Sequence, residues 1–342
     1  RSFFKIAFPM ALPALITGIS LMCMEVMNEL GTFALLNIPS ISTGIAENWI
    51  IEGNPKSAIG LSLVALLIIF TLIIFEKFSR RKSKRWSENP ASKDSQGWEL
   101  KKTRALLAIT ISLFPPIFSF GIPCFWVLLN IDQIQKGLSI ELLTLSFRTI
   151  SLGFFTALIT MLFSLIISLA RRPNKSLLLG LITNLAGIGY AIPGTVLALS
   201  LISISSPKLN FFAVCLLIWG YLVRFLTISK GSIDSSLERI SPSLDEAALG
   251  LGENWPGIIK RIHLPLLQGP IFVGSLLVFV DTIKELPMTF ILRPFDFDTL
   301  SVRIYQYAGD ERMVEAILPA ILIMTLGLIA SITLIPSLEK KN

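Results

Sequence analysis

Eight apolar runs punctuate the chain, at 8–30, 59–75, 105–129, 145–170, 177–204, 211–228, 264–286 and 314–336. Coiled as a helix, each can cross about 30 Å of hydrocarbon. The pattern therefore predicts an all-α polytopic membrane protein of eight spans. Two longer polar stretches interrupt it, 77–103 and 229–263. Composition agrees, with 53% hydrophobic and 15% charged residues and a mean hydropathy of +0.71. A soluble domain carries about a quarter charged residues. A water-soluble enzyme, a disordered chain and a disulfide scaffold are excluded. The three cysteines, Cys23, Cys124 and Cys215, fall in different apolar runs and are expected to pack as small hydrophobes.

Net charge is +7, and the placement of the basic residues gives its meaning. Segment 77–104 holds ten of the thirty Lys and Arg, so that stretch is expected in the cytoplasm. Counting spans outward from it puts Arg171, Arg172, Lys175, loop 229–263 and both chain ends on the same side. That side collects twenty-one basic residues against six opposite. The basic charge is thus topogenic, and no nucleic-acid partner is expected; the partner is the lipid bilayer. The apolar stretch after Arg1 has no small-residue cleavage site and reads as a span rather than a leader.

Sliding the chain against itself at an offset of 256 gives an ungapped match over roughly eighty residues. Ile6 meets Ile262, Pro9 meets Pro265, Gly18 meets Gly274, Glu29 meets Glu285, Thr43 meets Thr299 and Gly53 meets Gly309. Glu25 against Asp281 is conservative. Both copies enter from the same side, which predicts two parallel repeats. The second copy, 104–342, has six spans; the first, 1–76, shows two, and 77–103 is the basic linker between them. The first repeat is therefore expected to be truncated, within a twelve-span protein.

Loop 229–263 reads as two short helices meeting at a turn. Ser243 to Glu246 has the spacing of a capping box. Gly250 or Gly252 can end that helix, and Asn254 can cap the next with Pro256 in its first turn. Glu246-Ala247-Ala248, then Gly252, Ile262, Leu264 and Pro265 at their spacings resemble the Glu-Ala-Ala signature of bacterial binding-protein-dependent ABC importer permeases. The resemblance implies the type I importer transmembrane fold. It also implies that the loop is a coupling helix docking on a separate ATPase dimer. Ile6, Phe8 and Pro9 retain the end of the same signature in the first copy. No GxxxxGK[ST] loop occurs in the chain, so ATP and Mg are expected on the partner, with no cofactor bound by this chain and no catalytic residue in it.

Asp281, Lys284 and Glu285 lie toward the far end of span 264–286, with Asp281 about 25 Å from Leu264. Ionisable groups at such depth face a bundle interior or an aqueous cavity. The first copy places Glu25, Asn28 and Glu29 at the equivalent positions. Glu25, Glu29, Asp281 and Glu285 would then ring an outer mouth, serving a cation or a basic partner surface, or else pair with Lys284, Arg148 or Arg303 to hold the fold. Lys284-Glu285-Leu286-Pro287, Thr289, Leu292-Arg293-Pro294-Phe295, Phe297-Asp298-Thr299-Leu300, Arg303 and Tyr305-Gln306 resemble the outer loop of ferric iron permeases with two fused halves. That implies Fe³⁺ delivered by an extracytoplasmic binding protein to the bacterial inner membrane.

Within 177–204, Gly187, Gly189, Tyr190, Pro193 and Gly194 are expected to break the helix, as a packing kink or as part of the pathway. His263, the sole histidine, is expected at an interface, and Met22, Met24 and Met27 as span filler. The alternatives are the same machinery with sulfate, molybdate, thiamine or a polyamine as cargo, or an ion-coupled secondary transporter.

Overall fold

The computed structural model describes residues 8–83, 100–131, 139–173, 176–204 and 213–339. Every element among them is helical, the form that satisfies each backbone group internally in hydrocarbon. The chain is a multi-pass membrane protein. Six helices are long and apolar enough to span, or seven if one sharply bent pair counts as a single crossing.

The first part comprises α1 (Phe8–Asn28), α2 (Gly31–Leu35), α3 (Ile41–Ile50) and α4 (Pro55–Ser83). Next come α5 (Thr103–Leu129), α6 (Ile140–Arg171) and α7 (Leu177–Ala186), then a short 3₁₀ turn at Gly189–Ala191 and α8 (Gly194–Ile204). The rest is α9 (Ala213–Leu237), α10 (Pro242–Gly250), α11 (Trp255–Ile258), α12 (Leu264–Lys284), α13 (Pro287–Leu292), α14 (Leu300–Gly309) and α15 (Met313–Glu339). Helices α1 and α12 are each 21 residues long, and their bounds lie 256 residues apart. Each is followed by a short helix that starts at the same spacing, Gly31 and Pro287. Then come a ten-residue helix and a long apolar one in both parts. The third helix departs from strict register. It begins at Ile41 under a Ser40–Thr43 capping box, but at Leu300 under Thr299.

Helices α6, α9 and α12 pack on one another as the central trio. Small residues let them approach, since a Cβ at Gly153 would lie 2.9 Å from the Phe279 ring and one at Gly274 2.7 Å from Met161. Around them Leu152, Leu217, Tyr221, Phe225, Val278 and Met288 form the largest buried cluster. Helix α4 packs on α1 and α3 and reaches α8, joining the first part to the second. Helix α5 buries none of its residues. Cys124 and Cys215 are exposed on helix surfaces rather than packed, and Cys23 is half-buried. Met24 joins a small buried cluster with Ile69 and Ala191, whereas Met22 is exposed.

Three expectations shift. Span 177–204 is no straight crossing: α7 and the turn after it meet α8 at 115°. The segment assigned to loop 229–263 begins as helix, because α9 runs on to Leu237, aided by the Lys230–Asp234 pair one turn apart. At its other end, α11 continues through a π turn, Ile259–His263, straight into α12. The polar stretch 77–103 likewise starts as the end of α4 and closes at the start of α5. Its residues 84–99 lie outside the described residues, as do Ile6, Lys175 and the Lys340–Lys341 tail.

The break after α7 depends on close backbone approach. A Cβ at Gly189 would fall 1.9 Å from the Val223 carbonyl oxygen, whereas one at Gly180 would meet nothing within 4 Å. Gly189→Ala is therefore expected to cost about 1–3 kcal/mol by overpacking, and Gly180→Ala to be neutral or stabilising. Melting temperatures of the two variants purified in detergent check this; equal melting points would contradict the described contact.

Candidate functional site

The carboxylates predicted for the outer mouth converge. Glu25, Glu29, Asp281, Glu285 and Tyr190 line one cavity of about 350 Å³, together with Asn28, Arg224 and Lys284. Their roles divide sharply. Glu285 is 5% exposed, and its carboxylate accepts from the amides of Met288 at 3.0 Å and Thr289 at 3.1 Å. It also accepts from the Thr289 hydroxyl at 2.8 Å. It thus caps α13, supplying the acceptor that the first amides of a helix lack. Glu29 does the same for α2, accepting from the Thr32 amide at 2.8 Å.

Asp281 and Glu25 cap no backbone. Asp281 pairs with Lys284 at 2.8 Å, one of the partners anticipated for it. Arg148 and Arg303 pair elsewhere: Arg148 donates to the Asp296 carbonyl at 2.6 Å, and Arg303 bonds Glu141 and Asp298. Glu25 accepts a hydrogen bond from the Tyr190 hydroxyl. That bond joins α1 to the broken segment.

Arg224 is the residue that sequence reasoning passed over. It is buried at 3% exposure, donates to the Ile192 carbonyl at 3.0 Å and the Asn28 side-chain oxygen at 3.1 Å, and lies over the Tyr190 ring at 5.6 Å. Its Nε has no partner. A lone arginine inside an apolar run is by itself the signal of a site. The Asn28 oxygen also accepts from the Gly194 amide at 2.6 Å. A Cβ at Gly194 would lie 2.8 Å from Glu285, so only glycine lets these groups gather. Among the described residues, no three His, Cys, Asp or Glu are grouped to hold a metal ion.

Tyr190 also lines a second cavity, of about 790 Å³, which opens toward Arg171, Arg172, Lys230 and Glu238. The two cavities meet at this one side chain.

The loop with the Glu-Ala-Ala signature lies at the Arg172 end. Pro242 opens α10, and the residue before a proline is driven out of helical geometry. The N-cap is accordingly Ser241, which accepts from the Ser243 amide, and not Ser243. The capping box with Glu246 does not form, and Glu246 sits exposed further along the helix. Gly252, at φ +85°, ends the helix. Its amide donates to the Leu249 carbonyl and that of Glu253 to the Ala248 carbonyl, a Schellman closure. Asn254 caps α11, accepting from the Gly257 amide at 2.9 Å. Ala247 is exposed and Ala248 half-buried, while Leu251 stands 89% exposed at the tip. Ile262 and Leu264 are half-buried where the π turn enters α12, and Pro265 is exposed in its first turn.

These features define a polytopic membrane protein with a helical knob at one end and a charged internal cavity toward the other. No protein-family model matches the chain. The chain is similar to the Fe(3+)-transport system permease protein FbpB 2 of Haemophilus influenzae, at 26% identity over 321 residues. The match covers 90% of this chain and 62% of that relative, so the chain spans under two thirds of its length. The similarity agrees with the resemblance to ferric iron permeases carried by the segment after α12.

The division among the carboxylates is testable. Glu285→Ala is expected to lower stability by about 1–3 kcal/mol through the uncapped buried amides, while Glu25→Gln and Asp281→Asn leave the melting temperature nearly unchanged. Thermal unfolding of the three variants in detergent checks this, and a silent Glu285→Ala would overturn the capping role.

Proposed function

We propose that the chain is the permease subunit of an ATP-driven ABC importer in a bacterial inner membrane, translocating ferric iron handed over by an extracytoplasmic binding protein. Its spans form two parallel repeats, and both ends of the chain face the cytoplasm. The observation that carries this reading is the capped knob, where Glu246-Ala247-Ala248 and Gly252 are presented on a rigid turn with Leu244, Leu249 and Leu251 exposed. Leucines held out on a polar loop offer apolar surface to a protein contact. The match to an iron-transport permease supports the cargo.

On this reading the chain performs no chemistry of its own. ATP hydrolysis in a partner dimer moves the knob, and the bundle transmits that motion. Glu25 and Asp281, equivalent in the two repeats and not engaged in capping, are the carboxylates left to meet cargo. Oxygen donors suit a hard cation. Tyr190 and Glu25 close the path between the two cavities, and opening requires their bond to break. Glu29, Glu285 and Arg224 hold the walls.

The test is ATP-dependent ⁵⁵Fe uptake into vesicles holding the full-length chain with its neighbouring ATPase and binding protein. Uptake is expected to need both partners and to resist competition by sulfate, molybdate, thiamine and polyamines. Competition by one of these would change the cargo, and transport driven by an ion gradient without ATP would overturn the mechanism. In the same vesicles Glu246→Arg is expected to abolish ATPase recruitment while the permease stays in the membrane. Undiminished uptake by that variant would count against docking at this loop.

A further inference from the structure

Beside the exposed signature lies a buried cluster that it does not include. Asp245, immediately before Glu246, is 5% exposed and faces inward from α10. Its Oδ2 is ion-paired with Nε of Arg172, the C-cap residue just past α6. The rest of that guanidinium donates to the carbonyls of Leu237 and Ile240, both at 2.8 Å. Leu237 ends α9 and Ile240 lies in the turn just after it, a helix C-terminus that favours a cation. On its other side, Asp245 Oδ1 lies 3.1 Å from Nε2 of His263 in the π turn that opens α12. The three helices of the central trio therefore converge on one carboxylate of the knob.

The cluster is incompletely satisfied. His263 is fully buried and its Nδ1 has no partner, while its Nε2 and Oδ1 of Asp245, 3.1 Å apart, are paired without well-aligned hydrogen-bond geometry. Unsatisfied buried polar atoms are uncommon and costly. A small rotation of α10 relative to α12 would align this pair while drawing the carboxylate from Arg172. A π turn, often found at functional sites, stands at the place where such a shift would be absorbed.

We propose that Asp245 is a positioning residue for coupling, passing motion of the knob to α6, α9 and α12 by exchanging its bond between Arg172 and His263. The proposal rests on the reading that α10 docks on an ATPase. It differs from that reading in placing the transmission inside the permease, on residues that touch no partner.

The experiment compares Asp245→Asn and His263→Phe with the wild type in the reconstituted full complex, measuring ⁵⁵Fe uptake, ATP hydrolysis and bound ATPase together. Both variants are expected to keep the ATPase bound and hydrolysing while uptake per ATP falls about tenfold, the scale of one charge-assisted hydrogen bond. Because Asp245→Asn weakens a buried ion pair, it can fail to assemble; His263→Phe then decides, since it keeps an aromatic ring in place and removes the nitrogen that faces Asp245. A purely structural cluster would leave uptake per ATP unchanged in His263→Phe, and that result overturns the proposal. Failure of the wild-type chain to recruit an ATPase would instead overturn the reading on which it rests.

Discussion

The structure turns on the need to satisfy backbone groups wherever the chain stops being helical inside an apolar bundle. An unpaired amide or carbonyl there has no water to turn to. Among the described residues, side chains meet this need after α1, after α12 and between α7 and α8. Glu285 takes the buried amides of Met288 and Thr289 after α12, and Glu29 takes the exposed amide of Thr32 at the matching place after α1. Between α7 and α8, Asn28 takes the Gly194 amide and Arg224 the Ile192 carbonyl. Thr227 closes the same break from α9, accepting from the Tyr190 amide at 3.3 Å and donating to the Ala186 carbonyl at 3.1 Å. Charged residues deep in an apolar chain thus acquire an account that needs no cargo.

That account also says which charges are left over. Four carboxylates looked equivalent along the sequence, two at each end of a span. Capping consumes one at each end, Glu29 and Glu285, and they are the pair identical at the offset of 256. The conservative pair, Glu25 and Asp281, is held only by side chains, Tyr190 and Lys284. A side-chain partner can be exchanged for a ligand at far smaller structural cost than a backbone partner can. The division between scaffold and candidate pathway therefore follows from hydrogen-bond bookkeeping alone.

Much of this was legible in the sequence, for identifiable reasons. Helices in hydrocarbon follow apolar runs, so α5, α6, α9, α12 and α15 fell within the expected windows, with ends displaced where the helix continues beyond the apolar run. Gly189, Pro193 and Gly194 announced the break, because proline lacks an amide and glycine permits close approach. The cap on α10 departs from the local pattern, since Pro242 moves it to Ser241 and the capping-box spacing from Ser243 is incidental. The roles of Arg224 and Arg172 depend on carbonyls distant in sequence, which no local pattern displays. His263 was expected at an interface and is fully buried, because its neighbour Asp245 comes from another helix.

The two ends of the bundle are joined by α1 and the broken segment, and their arrangement bears on how a path through the protein could open. Met24 lines the larger cavity and Glu25 the smaller, one residue apart on α1, while Tyr190 belongs to both. A closed point built from one phenol and one carboxylate is narrow in sequence and specific in chemistry: a cation reaching Glu25 competes directly for the oxygen that the Tyr190 hydroxyl occupies. Arg224, stacked over the same ring and fixed to Ile192 and Asn28, opposes the approach of a cation without taking that oxygen. On the proposed reading, entry of cargo and release of the closure would be one exchange at one atom, with the fixed guanidinium of Arg224 beside it.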